Sequence, residues 1–303
     1  MMTKSLPSRF FRWRPLGLLT CVLFSCLRSV AEPMRVFVSI GPQLESVKFI
    51  GGDLVVVEAL VPPGVSPETY VPPPRSIAAL AKASFLLTIG VPFENALLPK
   101  VRGAFPKLAI IDGRAGMELM PMEEGLHDHD HGHGHGHKHG DFDPHVWLLL
   151  GNMKVHARTV ARTLSERLPA HRAEIAKRAE AYIASLEKLD EEFRRQLAPL
   201  KGRTAMVFHP AFGYFLKHYG LRQLAVEMDG REPTGRYLGE LLRVAKESRV
   251  SCIFVQPQFN GKTVQVVARE IGGAVVEVDP LPMEYSSGMR QLCRQFLSIG
   301  NFP

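Results

Sequence analysis

The chain has 303 residues, 46% of them hydrophobic and 22% charged, a balance that excludes a disordered or fibrous chain and suffices for two lobes of about 130 residues each. The formal net charge of +7 sits largely at the N-terminus, where residues 1–31 carry Lys4, Arg9, Arg12, Arg14 and Arg28 and no acid. Taking those five basic residues from 37 leaves 32 against 30 acidic ones, a net of +2, so the pI of 9.3 is no argument for a nucleic-acid partner.

That basic start leads into the apolar run Pro15–Leu27, which is 13 residues long and too short to span a bilayer comfortably. Ser29-Val30-Ala31 then offers the small residues that a signal peptidase needs, so residues 1–31 read as a signal peptide cleaved before Glu32. A lipid anchor at Cys26 is the less favoured alternative, because Phe24 is bulky for that signal. Of the four cysteines, Cys252 and Cys293 outlast this cleavage. In an exported chain two cysteines suggest a disulfide, which would close a loop of roughly 40 residues and contribute about 3–4 kcal/mol; two buried free thiols are the alternative.

Past the leader, strands alternate with helices. RVFVSI (35–40) is a first buried strand, followed by a helix over 43–50, strand 54–61 and a loop rich in Pro and Gly to residue 74. A short helix over 75–83, strand 85–89, helix 93–101 and strand 108–111 complete the set. This alternation predicts βαβ units and a parallel sheet. The stretch from His127 to His139 has the opposite character: His127, His129, His131, His133, His135, His137 and His139 alternate with Asp, Gly and Lys, which cannot build a core. The tract lies inside the chain, unlike an expression tag, and reads as a mobile, metal-collecting loop. Imidazole suits Zn, Cu, Ni and Fe alike.

Asp143-Pro144 turns the chain, His145 follows, and Val146-Trp147 opens a helical region over 152–167. Beyond Pro169, no Gly or Pro interrupts residues 170–197, whose 28 positions at 1.5 Å rise make roughly 42 Å of helix. Its apolar residues do not keep a seven-residue register, which disfavours a coiled coil. A second alternating set follows: strands 204–208, 223–227, 252–256 and 274–278, with helices over 212–219, 234–248, 263–271 and 289–297. The predicted fold is α/β, two lobes with parallel four-stranded sheets joined by one long connector helix. The predicted boundaries are 32–168 for the N-terminal lobe, 169–198 for the connector and 199–303 for the C-terminal lobe.

Ligands of open α/β sheets bind beyond the carboxyl ends of the strands. The metal-capable residues expected there are Glu68, His145, His209 and Asp279, two from each half. Two imidazoles and two carboxylates can close around one divalent ion. Glu68 could instead be a solvated loop acid and Asp279 a cap for the turn at Pro280. His156, His171 and His218 fall on helices and are expected at the surface or half-buried. No HExxH or similar motif appears, so a metallohydrolase is disfavoured, and neither a repeat nor an anchor supports an adhesin.

VPPGVSPETY (61–70), FDPHVWLLLGN (142–152), FHPAFGYFLKHYGL (208–221), EPTGRYLGELLRVAKESRVSCIFVQPQFN (232–260) and AVVEVDPL (274–281) together resemble the metal-specific solute-binding proteins of ABC uptake systems, the ZnuA/TroA-like group. The resemblance implies capture of an ion without chemistry, delivery to an ABC transporter membrane permease from the periplasm, a stiff connector, and a monomer. It carries over His145 and His209 as ligands, with Asp279 at the C-terminal carboxylate position. Glu68 departs from the pattern, since the family usually has His in its PH-x-Y motif. His209 and the histidine tract imply zinc, whereas the carboxylate at Glu68 also suits manganese, with iron as a further cargo.

Overall fold

The computed structural model describes residues 32–122, 142–227, 233, 235–259 and 262–300. The predicted signal peptide 1–31, Cys26 and the histidines from His127 to His139 lie outside the described residues.

Each half builds its sheet from short apolar strands. In the first, β1 (Met34–Val38), β2 (Val55–Ala59), β3 (Phe85–Thr88) and β4 (Ala109–Asp112) lie in the order β2-β1-β3-β4. All pairs are parallel, with Val36 opposite Val57 on one side and Phe85 on the other. Connecting them are α1 (Leu44–Gly51), α2 (Pro74–Ala79) and α3 (Phe93–Ala104). The strands are mostly apolar, and β3 is buried along its whole length, which suits a central strand covered on both faces. After the described gap come α4 (Leu150–Arg167) and α5 (Arg172–Leu197).

The second half repeats the plan. Strands β5 (Thr204–Val207), β6 (Arg222–Ala225), β7 (Cys252–Val255) and β8 (Ala274–Glu277) are arranged β6-β5-β7-β8, again all parallel. Helices α6 (Gly213–His218), α7 (Gly235–Glu247), α8 (Lys262–Glu270) and α9 (Tyr285–Leu297) surround them. Alternation along the strands sorts the core. Met206 and Ile253 face Leu241 and Val267 of α7 and α8. Ala205, Val207, Cys252 and Phe254 face the other way, where Phe212, Phe215 and Phe296 pack ring against ring.

The 26 residues of α5 make about 39 Å of helix between the two sheets. Its buried stripe is Ile175, Ala179, Tyr182, Leu186, Leu189, Phe193 and Leu197. From Ile175 to Phe193 that spacing alternates between four and three, the very register the sequence pattern obscured, because Ala and Tyr do not stand out as apolar markers. The stripe is used against α1, α4 and α9 of the same chain.

Two expectations are corrected. Cys252 and Cys293 are free thiols, both buried. Cys293 turns its Sγ to Gln196 Oε1 on α5 at 3.4 Å, and Cys252 turns to Ser298 just past the end of α9, so the two thiols have different neighbours. Burial pushes Cys252 up to about 11 and, aided by the Glu192 charge, Cys293 up to about 12. His156 is fully buried rather than at the surface; the helical spacing of α4 put it on the core face, where Gln43, just before α1, and Ser46 of α1 satisfy it. His171 is exposed and His218 half-buried.

Candidate metal centre

In each sheet the strand order reverses beside the first strand, and a crevice opens past the carboxyl ends there. The C-terminal sheet supplies a polar residue one or two positions beyond every strand: His209 after β5, Glu227 after β6, Gln256 after β7 and Asp279 after β8. From the N-terminal half come Glu68, on the loop after β2, and His145, before α4.

Three of the four expected ligands converge. One atom each of Glu68, His145 and His209 lies within 4.8 Å of the others, the one such group among the described residues. His209 Nε2 is 2.9 Å from Glu68 Oε1 and 3.4 Å from His145 Nε2, and Glu68 Oε1 is 3.8 Å from His145 Nε2. Both histidines are buried, and Glu68 keeps 26% of its side chain exposed, so the cleft opens on the Glu68 side. It encloses about 20 Å³, space for one water-sized sphere. Asp279 does not join them. It is exposed, and its Oδ1 accepts the backbone N–H of Leu281 at 2.9 Å, as a turn cap.

The converging side chains are held from behind. Asp143 Oδ1 accepts the His145 backbone N–H at 2.9 Å and pairs with His145 Nδ1 at 2.7 Å. Asp143 is itself anchored by its own N–H to Met120 O, and Tyr214 OH donates to its carbonyl. Asn152 ties the turn down by donating to Val146 O and Glu118 O. On the other side, Glu227 Oε2 lies 3.1 Å from His209 Nδ1. Gln256 clasps the His209 backbone, accepting its N–H and donating to its carbonyl. Phe259 stacks on the His209 ring and Trp147 stands edge-on to His145. Glu68 rides on a loop pinned by Phe93 N–H to Pro67 O and by the Tyr70–Phe93 ring contact.

With each Nδ1 engaged by a carboxylate, both Nε2 atoms are directed at the cleft, the arrangement that orients metal-ligating imidazoles. Burial alone would lower His209, but hydrogen bonds to Glu227 and Glu68 and their charges outweigh it and push it up to about 9. Burial would raise Glu68, yet the His209 hydrogen bond and the His209 and His145 charges hold its carboxyl below the usual range. A divalent cation held by these residues would compete with protons for His209 and Glu68. Two neutral imidazoles and a carboxylate fit a divalent transition ion well.

Glu227 and Gln256 were not among the expected site residues. Glu227 read as the last residue of a strand; it stands two residues past β6, just as His209 stands two past β5, so the strand-end rule that selected His209 would have found it.

A family described as the zinc-uptake complex component A, periplasmic, matches residues 36–297. The chain belongs to the ZnuA family. It is 29% identical over 248 residues to the high-affinity zinc uptake system protein ZnuA of Bacillus subtilis (strain 168), covering 80% of this chain and 77% of that protein. It is 26% identical over 242 residues to the iron-binding protein YfeA of Yersinia pestis, covering 78% and 74%. A crystal structure of ZnuA superposes with a TM-score of 0.80 at 34% identity, over 88% of this chain and 98% of that one. The chain is thus a zinc-binding component of a metal uptake system, and members of the ZnuA family act with ABC transporter permeases.

Proposed function

We propose that the exported chain captures one Zn²⁺ in the periplasm and delivers it to an ABC transporter membrane permease, as a monomer and without chemistry. Glu68 Oε1, His145 Nε2 and His209 Nε2 are the ligands in this reading, and Asp279 rotates out of its turn to supply the fourth. The observation that carries it is the convergence of those three donor atoms within 4.8 Å from both lobes, with each imidazole oriented by its own buried carboxylate. The leader 1–31 directs export, and the histidines from His127 to His139 form an auxiliary, weaker store that raises the local zinc concentration.

Manganese is the second cargo, favoured by the carboxylate of Glu68 where the family usually has His, since oxygen donors suit a harder ion. Metal analysis of protein purified without added zinc, followed by Zn²⁺ against Mn²⁺ competition, tests the assignment: zinc wins at equal concentration, and a Mn²⁺ preference overturns it. Deleting residues 127–139 leaves one tight site in calorimetry; loss of the tight site would place the ligands in the tract instead.

A further inference from the structure

The C-terminal-lobe segment from Asp279 to Ser286 is laid against the N-terminal lobe and pinned there along its length. Trp147 pins it twice: its indole N–H donates to Pro280 O at 2.6 Å, and its backbone carbonyl accepts the Tyr285 hydroxyl at 2.6 Å. The next residue, Ser286, donates its backbone N–H to Glu45 Oε2 at 2.9 Å and its hydroxyl to the other oxygen of that carboxylate. Between these points Gly41 lets the backbones approach; a Cβ there would lie 3.3 Å from Pro282 O and 3.4 Å from Met283 Cα. Trp147 and Tyr285 are 1% and 0% exposed, so their hydrogen bonds lie where water cannot replace them.

Trp147 is also two residues from His145, its ring 5.3 Å from that imidazole, and it lines the metal cleft with Pro280 and Leu281. We propose that Trp147 is a positioning residue for the metal: it straps the Asp279–Leu281 turn of one lobe to the ligand-bearing turn of the other, and so sets how long the ion stays. This rests on the reading of Glu68, His145 and His209 as ligands. His145 and Glu68 belong to one lobe and His209 to the other, so an ion leaves when these groups part. A strap across the lobes opposes that parting, and because the ion enters and leaves through the same opening, it slows both.

The test uses the full mature chain loaded with Zn²⁺, with release followed by chelator capture. Trp147→Phe keeps the ring against His145 and removes the indole N–H. It is expected to release Zn²⁺ about tenfold faster, the loss of one buried hydrogen bond, with association accelerated in the same direction and altered visible bands in the Co²⁺-loaded protein. Tyr285→Phe removes the other bond of the strap from outside the cleft; it shifts release in the same direction and serves if Trp147→Phe fails to fold. Wild-type release rates overturn the proposal, including the case where only the Tm of the metal-free protein falls. A His145→Ala variant that still binds Zn²⁺ tightly overturns the ligand reading itself, a result distinct from unchanged release in the strap variants.

Discussion

His156 and His209 are both buried, 0% and 7% exposed, and their surroundings push them in opposite directions. Around His156 every partner is neutral. Gln43 Nε2 donates to its Nε2 at 3.2 Å, and Ser46 Oγ sits 3.1 Å from its Nδ1. The Gln43 amide cannot turn over, because its Oε1 already accepts the backbone N–H groups of Ser39 and Ile40. Protonating His156 would set a new N–H against the amide's own donors in a site without countercharge, and burial lowers it to about 4. Around His209 two carboxylates replace the amide and the hydroxyl, and the value climbs to about 9 despite burial. Burial by itself makes a structural imidazole; burial among carboxylates makes one suited to hold a cation.

The largest expected effect tests which of the two touches the ion. His209→Ala or His145→Ala weakens Zn²⁺ binding by about a thousandfold or more, roughly 4 kcal/mol, in competition calorimetry. His156→Gln stays within about threefold of the wild type, and a larger loss there would erase the distinction.

The second effect is on stability against pH. The folded value of His156 lies below its ordinary 6.5, so the unfolded chain binds more protons between about pH 6.5 and 4. Its contribution is therefore complete above pH 6.5 and falls as the pH drops toward 4, by about 3 kcal/mol. In urea melts, the difference between wild type and His156→Gln should change over that window and be flat above it. A constant difference would show that His156 titrates alike in the folded and the unfolded chain.

Third comes the carboxylate behind the ligand. Glu227→Gln can no longer hold a proton on Nδ1 with full charge, and Zn²⁺ affinity falls about 10- to 100-fold with little change in Tm. An unchanged affinity would reduce Glu227 to core packing. The smallest effect concerns the thiols, which follow the His156 pattern of a group kept neutral by burial. Reductant should shift the Tm of the mature chain by no more than about 1 °C, whereas removing a native disulfide typically costs 2–5 kcal/mol.

Much of this was legible in the chain. The two sets of apolar strands, the punctuation at Gly51-Gly52 and Gly272-Gly273 and the uninterrupted helix into Leu197 give both sheets and the connector. These are local periodicities, which hold whatever the strands pair with. His145 and His209 were legible because each is a polar residue directly beside an apolar run. The burial of His156 was not, since a histidine on an amphipathic helix looks alike whether its face meets water or the amide of Gln43, more than 100 residues away.

The sequence by itself determined the alternation of elements, the lengths of strands and helices, and the set of polar residues waiting at strand ends, because all of these depend on neighbours in the chain. Only the tertiary structure decided which of them meet. It brought Glu68 to His209 across the cleft, placed Glu227 behind His209, turned Asp279 toward Leu281, and faced Cys252 and Cys293 to separate neighbours. Past the end of a strand, the direction of a side chain follows from its loop backbone and from the lobe packed opposite it, and neither is encoded in any local period.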